Sequence, residues 1–247
     1  MSISLTELRS KQHQIMGNVV NRAAQEMQVR LVKETKEVEA MIKGAAVLVP
    51  PTGTKDLEAA RVKVNAKYGG DWLEIKDMAR CTLVVKWPTQ IETALRLVRA
   101  QFRASNGFAV IEEKVTLAAE DSAGYSGNSV IVSSGGSTGE IQINTPAMMY
   151  AKSLPEFLAA LPKQEAHMKA TYPQVPGGLG HFLYETHRDK RKSEAVRLRY
   201  GNASRLYYNY FRSFPVSLHR GIIASEAISP LMIIRGDNSS VGALRRV

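Results

Sequence analysis

Cysteine is almost absent from this chain: Cys81 is the single one in 247 residues. That excludes an internal disulfide and any cysteine-rich zinc site. Cys81 lies in the apolar run Cys81–Val85, so a buried structural thiol is expected there and not a nucleophile. Long hydrophobic runs are missing too. No stretch approaches 18 uncharged apolar residues, and pieces such as Ile228–Ile234 are short or interrupted, so no membrane span is expected. The opening Met1-Ser2-Ile3-Ser4 has no basic segment leading into an apolar one, and no cleavable signal peptide is expected. Internal repeats and low-complexity tracts are also lacking.

What remains is an ordinary globular composition, 44% hydrophobic and 23% charged. The length suits one fairly large domain, or a domain with helical additions. The formal net charge is +10 and the isoelectric point is near 9.7. That balance favours polyanionic partners, such as nucleotides, RNA or an acidic inhibitor protein, although positive charge also serves solubility.

Leu8, Ile15, Met16, Val19, Val20, Ala23, Met27, Leu31 and Val38 recur mostly at three- and four-residue steps. This spacing predicts a long amphipathic helix over about 5–43, with Ser4-x-x-Glu7 as a capping box. Val49-Pro50-Pro51-Thr52-Gly53-Thr54 breaks it, and a shorter helix is expected over Lys55–Tyr68, ending at Gly69-Gly70. The pattern then alternates. Ala79–Lys86 reads as a buried strand, Pro88–Phe102 as a helix, and Phe108–Leu117, Ser129–Val132 and Ile141–Asn144 as strands. Helices dominate from Ala147 onward. The expected architecture is α/β or α+β: a mixed β-sheet of four to five strands surrounded by helices, with a long N-terminal helix and a helical C-terminal extension. The expected divisions are residues 1–48, 49–160 and 161–247.

Three segments place polar residues beside strands: Ile75–Thr82 around Asp77, the loop Gly124–Ser129 with Tyr125, and Gly139–Thr145. In the last, period-two geometry puts Glu140, Gln142 and Asn144 on one face, with Ile141 and Ile143 on the other. A polar face in an otherwise apolar sheet is costly unless it serves a purpose.

The order Asp-x-x-Arg-Cys, then Gly-Tyr, then Glu-Ile-Gln-Ile-x-Thr resembles the synthetase domain of the RelA/SpoT nucleotide pyrophosphokinases and their small, often toxic relatives. The resemblance covers roughly residues 50–155 and extends less closely to the segment Gly180–Glu185. It implies pyrophosphate transfer from ATP to a ribose hydroxyl, with Mg²⁺ as cofactor and growth arrest as the effect. By the same resemblance Asp77 is the metal-binding aspartate, while Glu140 helps to activate the attacking hydroxyl and reaches the metal. Tyr125 stacks on the acceptor base and Lys114 contacts a phosphate. Gln142, Asn144 and Arg80 fall in the acceptor site, and Lys55, Arg61 and Lys63 form the basic ATP-binding group. Two departures stand out. The family's Gly-Tyr loop continues to a histidine where Ser129 and Val130 stand here, and its Glu-Ile-Gln-Ile strand continues with arginine where this chain has Asn144. Both fit the divergent toxin branch, whose acceptors include adenosine nucleotides and the 3′ end of tRNA. The partners implied are ATP, an acceptor nucleotide or tRNA, and an acidic antitoxin or immunity protein; a homo-oligomer through the long helix is left open. The site of action implied is cytoplasmic, with delivery as a secreted effector compatible with it. A hydrolase half would need a His/Asp metal cluster upstream, and His13 is the only histidine before position 167.

Gly53-Thr54-Lys55 lacks the upstream glycine spacing of a P-loop. His181, Glu185 and His187 have helical metal-site spacing, but a structural helix is the stronger expectation. Arg188–Lys192, Arg197, Arg199 and Arg205 are interleaved with Tyr200, Tyr207, Tyr208, Tyr210 and Phe211. That mixture suits an RNA-binding module as well as it suits an amphipathic helix with core tyrosines.

Overall fold

A computed structural model describes residues 5–116, 123–152, 166, 168–170 and 175–213. The chain divides into two compact units, 1–115 with 127–145, and 116–126 with 146–247.

The first unit is a five-stranded sheet in the order β1-β2-β5-β4-β3. Its strands are β1 (Ala46–Leu48), β2 (Ala79–Val84), β3 (Ala109–Thr116), β4 (Gly127–Ser134) and β5 (Ser137–Asn144). The turn Gly135-Gly136, with φ of 57° and 80°, closes the β4–β5 hairpin, because both residues need the left-handed region that glycine enters without strain. β2 runs parallel to β5 and antiparallel to β1, so the sheet is mixed. The architecture is the expected α+β arrangement, with the upper strand number. β1 has no signature in the sequence. Three residues are too few to show a period, and only pairing with β2 makes them a strand.

The register has one direct consequence. Cys81, Leu83, Ile141, Ile143, Val130 and Val132 share a face and are all buried. The helix α1 (Leu5–Ala40) covers that face with Met27, Leu31 and Val38, and α3 (Ile91–Gln101) adds Ala94, Leu95 and Val98 to the same core. Packing is close: a side chain at Gly139 would come 3.1 Å from Leu31 and 3.2 Å from Met27. Cys81 is 1% exposed and its Sγ meets the Thr35 hydroxyl at 3.4 Å. Burial pushes the thiol up to about 12, so it is a structural thiol, as its apolar surroundings in the sequence predict.

α1 departs from the sequence pattern at its N-terminal end. Leu8, Ile15 and Val19 are 49%, 61% and 57% exposed, although they share the helical spacing of the core residues. A helix of 36 residues is about 54 Å long, whereas an eight-residue strand spans about 26 Å, so the sheet cannot cover its whole length. The expected cap at Ser4 and the strand end at Leu117 lie outside the described residues.

The second unit is a separate helical core. α4 (Pro146–Lys152), α5 (Leu179–Arg188) and α6 (Glu194–Ser213) bury Met148, Tyr150, Leu183, Tyr207, Tyr208 and Phe211 together. The Tyr207 hydroxyl donates toward Pro176 O at 2.7 Å and Ala151 O at 3.2 Å, and accepts from Leu179 N at 3.3 Å. A buried phenol needs such partners. These contacts decide the aromatic question: Tyr207, Tyr208 and Phe211 are at most 1% exposed, so they are core residues and not a stacking platform for RNA. His187, one of the spaced histidines, uses Nδ1 to meet Arg197 O at 2.8 Å.

Candidate active site

In the first unit, the side of the sheet opposite α1 carries the polar residues. Parallel pairing sets Arg80 beside Glu140, Thr82 beside Gln142 and Val84 beside Asn144, and antiparallel pairing adds Ser129 beside Gln142. Glu140 and Gln142 are half-buried, and Asn144 is 3% exposed. Gln142 Nε2 donates to Glu140 Oε2 at 2.8 Å, which fixes the carboxylate's direction along the strand.

Arg80 is held by its backbone. β1 reaches only as far as Thr82 along β2, which leaves the Arg80 peptide at an unpaired edge. The side chain of Gln28, itself 6% exposed, fills the gap. Its Nε2 donates to Arg80 O at 2.9 Å and its Oε1 accepts from Arg80 N at 2.6 Å. One amide side chain thereby satisfies a donor and an acceptor that would otherwise be stranded.

Asp77 precedes β2 and gathers two lysines. Lys55 Nζ lies 2.9 Å from Oδ2 and Lys63 Nζ lies 2.8 Å from Oδ1. Lys55 is brought there by its own backbone, whose N–H donates to Met78 O at 2.8 Å. Lys63 is brought by α2 (Leu57–Lys67), which starts on the Asp56 side chain accepting from Ala59 N. Burial alone would raise the Asp77 carboxyl, but Lys55 and Lys63 outweigh it and hold the group below the usual carboxylate range. With side-chain exposures of 14% for Asp77 and Lys55 and 24% for Lys63, this cluster is screened far less than a surface ion pair. It carries one net positive charge.

Arg61 is not part of it. Two residues along a helix turn the side chain by about 200°, so when Lys63 faces Asp77, Arg61 faces away, where it pairs with Glu58 at 2.6 Å on the exposed side of α2. Lys114 stands exposed on β3, between Glu113, which is paired with Arg99, and Val115.

In the second unit, Tyr125 is half-buried. Tyr208 meets its ring edge-on, with centroids 5.4 Å apart. Lys152 places its ammonium 5.2 Å from the ring centroid and 3.3 Å from the phenolic oxygen. Arg212 donates to Gly124 O. Gly124 has φ of 73°, and a Cβ there would lie 2.7 Å from Arg205 Cα. The loop before the ring therefore requires glycine twice, for its conformation and for the close approach of α6. The sequence gives no signal for Lys152 or for Tyr208 as a partner of this ring. Neither belongs to a recognisable motif, and both are defined only by packing.

The chain has known relatives. The chain is 35% identical over 184 residues to the (p)ppApp synthetase toxin Tas1 of Pseudomonas aeruginosa (strain UCBPP-PA14), an alignment spanning 71% of this chain and 39% of that protein. The solved structure of the complex between the Type VI effector Tas1 and its immunity protein matches with 30% identity and a TM-score of 0.65, over 79% of this chain and 96% of that one. The chain belongs to the RelA/SpoT-type pyrophosphokinase family. The small alarmone synthetase 1 of Bacillus subtilis, solved with pppGpp, aligns at 18% identity and a TM-score of 0.44 over 88% of this chain and 93% of that one, too distant to carry an inference. No family model matches. The chain spans about two-fifths of the full-length Tas1 protein, so membership in the pyrophosphokinase family is a statement about this domain.

Proposed function

We propose that this domain transfers the terminal pyrophosphate of ATP to a ribose hydroxyl of a nucleotide, as a growth-inhibiting toxin of the (p)ppApp- or (p)ppGpp-forming kind. The observation that carries the reading is the likeness to Tas1 at 30% identity over 96% of the solved effector chain. The chemistry of the polar face agrees with it. In the reaction the ribose oxygen bonds to the β-phosphorus, the bond from that phosphorus to the bridging oxygen breaks, AMP leaves, and the hydroxyl proton must go to a base. Glu140 takes that proton, with Gln142 orienting its carboxylate. Lys55 and Lys63 bind donor phosphates, exchanging the Asp77 carboxylate for phosphate oxygens as ATP enters. Arg80, anchored by Gln28, and Asn144 line the same face. Tyr125 carries the acceptor base, since stacking on a ring is open to any base, and Lys114 contacts a phosphate.

Asp77 and Glu140 are hard oxygen donors and suit Mg²⁺, which takes one or two carboxylates plus substrate phosphates. Lys55 and Lys63 hold both Asp77 oxygens, and Asp77 together with Glu140 would hold the ion once phosphate oxygens take over the lysines. When bound, the ion neutralises charge on the phosphate oxygens.

A nucleotide acceptor is favoured over the 3′ end of tRNA, because the relative is named for nucleotide products. No helix among the described residues is long and apolar enough to cross a membrane. ATP and the acceptors are cytoplasmic molecules, so the site of action is the cytoplasm of the target cell. The +10 charge suits an acidic immunity protein.

The test is incubation with γ-³²P-ATP and Mg²⁺ against GDP, GTP, AMP, ADP, ATP and bulk tRNA in turn. Label in a new nucleotide is expected. Label in tRNA alone would replace the acceptor assignment, and no transfer to any acceptor would overturn the enzymatic reading.

A further inference from the structure

Resting on the proposed pyrophosphokinase activity, we propose that Lys152 binds the 5′-phosphate chain of the acceptor nucleotide, so that the second unit grips both ends of the acceptor: base on Tyr125, phosphates on Lys152. The ammonium is nearer to the phenolic oxygen, at 3.3 Å, than to the ring centroid, at 5.2 Å. It therefore stands at the hydroxyl rim of the ring and not over its centre, where a base would stack. The pair is built to stay in place. Lys152 closes α4, which buries Met148, Tyr150 and Ala151 in the core that holds Tyr208, while α6 holds the ring by Tyr208 and the preceding carbonyl by Arg212. A 5′-phosphate chain begins one ribose away from the base, within the reach of a lysine beside the ring. Phosphate is also the strongest anionic acceptor a nucleotide offers to an ammonium. The lysine that the family resemblance supplies, Lys114, belongs to β3 of the first unit. Lys152 is a different residue with a different anchorage.

The proposal makes acceptor preference depend on phosphate number through one side chain. The full chain is given γ-³²P-ATP with equimolar AMP, ADP and unlabelled ATP as competing acceptors, with a parallel series of GMP, GDP and GTP. Anion-exchange chromatography resolves the labelled products, whose ratio reports relative kcat/KM. In Lys152→Met the ratio of triphosphate- to monophosphate-derived product is expected to fall about ten-fold, the scale of one charge-assisted hydrogen bond. In Lys152→Arg it is expected to stay within about two-fold of wild type, because the charge is kept. Unchanged ratios in a Lys152→Met protein that still makes all its products would overturn the phosphate assignment. So would an equal loss with every acceptor and with adenosine, which carries no phosphate; that would mean that Lys152 only steadies Tyr125. If Lys152→Met does not fold, as judged by circular dichroism, Lys152→Gln takes its place with the same expectations. Wild type forming no product at all would overturn the pyrophosphokinase reading itself, a result distinct from either of these.

Discussion

The two units hold their candidate residues by different physics. In the first, charge holds charge and amide holds peptide: Asp77 lies between Lys55 and Lys63, Glu140 under Gln142, and Arg80 on Gln28. In the second, an aromatic ring packs at a steep angle against another ring and meets a lysine at its hydroxyl. The first kind of site suits a substrate whose charge must be neutralised, because the lysines only have to trade one anion for another. The second suits a flat, weakly polar substrate that must be oriented. The contrast suits the division of labour in the proposed pyrophosphate transfer.

Substitutions can break this contrast, the largest effect first. Glu140→Gln is expected to lower kcat by about 10³-fold, within the range of a lost general base, with an unchanged thermal melt, since the swap is nearly isosteric. Residual wild-type-like turnover would remove Glu140 from the reaction. Asp77→Asn leaves two lysines facing each other without their counter-charge, and a loss of about 2 kcal/mol in urea unfolding is expected, below the full cost of breaking a buried pair because the group is partly solvated. The pH dependence has a definite sign. The folded Asp77 carboxyl lies below its unfolded value, so its contribution is complete above about pH 4 and lost as pH falls through the folded value. Wild type and Asp77→Asn should therefore converge in stability under acid and diverge near neutrality; parallel curves would deny the ion-pair cluster its role.

Tyr125→Ala is expected to raise the acceptor KM about ten-fold, the scale of one stacked base, while leaving the ATP KM nearly unchanged. Equal changes in both would erase the distinction between the units. The smallest expected effect sharpens the comparison within one helix. Lys63→Met should weaken ATP binding several-fold, whereas Arg61→Met, on the opposite side of α2, should change it by less than about two-fold. A comparable loss from both would mean that α2 turns in the presence of ATP.

Much of this is legible in the amino-acid sequence. Period-two alternation marks the polar face of Glu140, Gln142 and Asn144, and the apolar run around Cys81 marks the buried face, because a strand shows its two sides in alternate residues. The family resemblance then names the chemistry. Legibility ends where a residue's role depends on a distant neighbour. Leu8, Ile15 and Val19 carry the same helical spacing as Leu31 and Val38, and only the reach of the sheet separates exposed from buried. Lys55, Arg61 and Lys63 look alike as a basic group, yet helical phase and one backbone bond to Met78 decide which of them meet Asp77. Tyr207, Tyr208 and Phe211 have two equal readings until their burial chooses one.

The sequence by itself therefore determined the element types, the polar strand face and the order of the family's motifs, all of which are local properties of spacing and residue type. Tertiary structure decided which cations surround Asp77, that Gln28 completes the edge at Arg80, and that Tyr125 is seated among the C-terminal helices with Lys152 at its hydroxyl. Those facts arise from contacts between residues far apart in the chain, which no local pattern encodes.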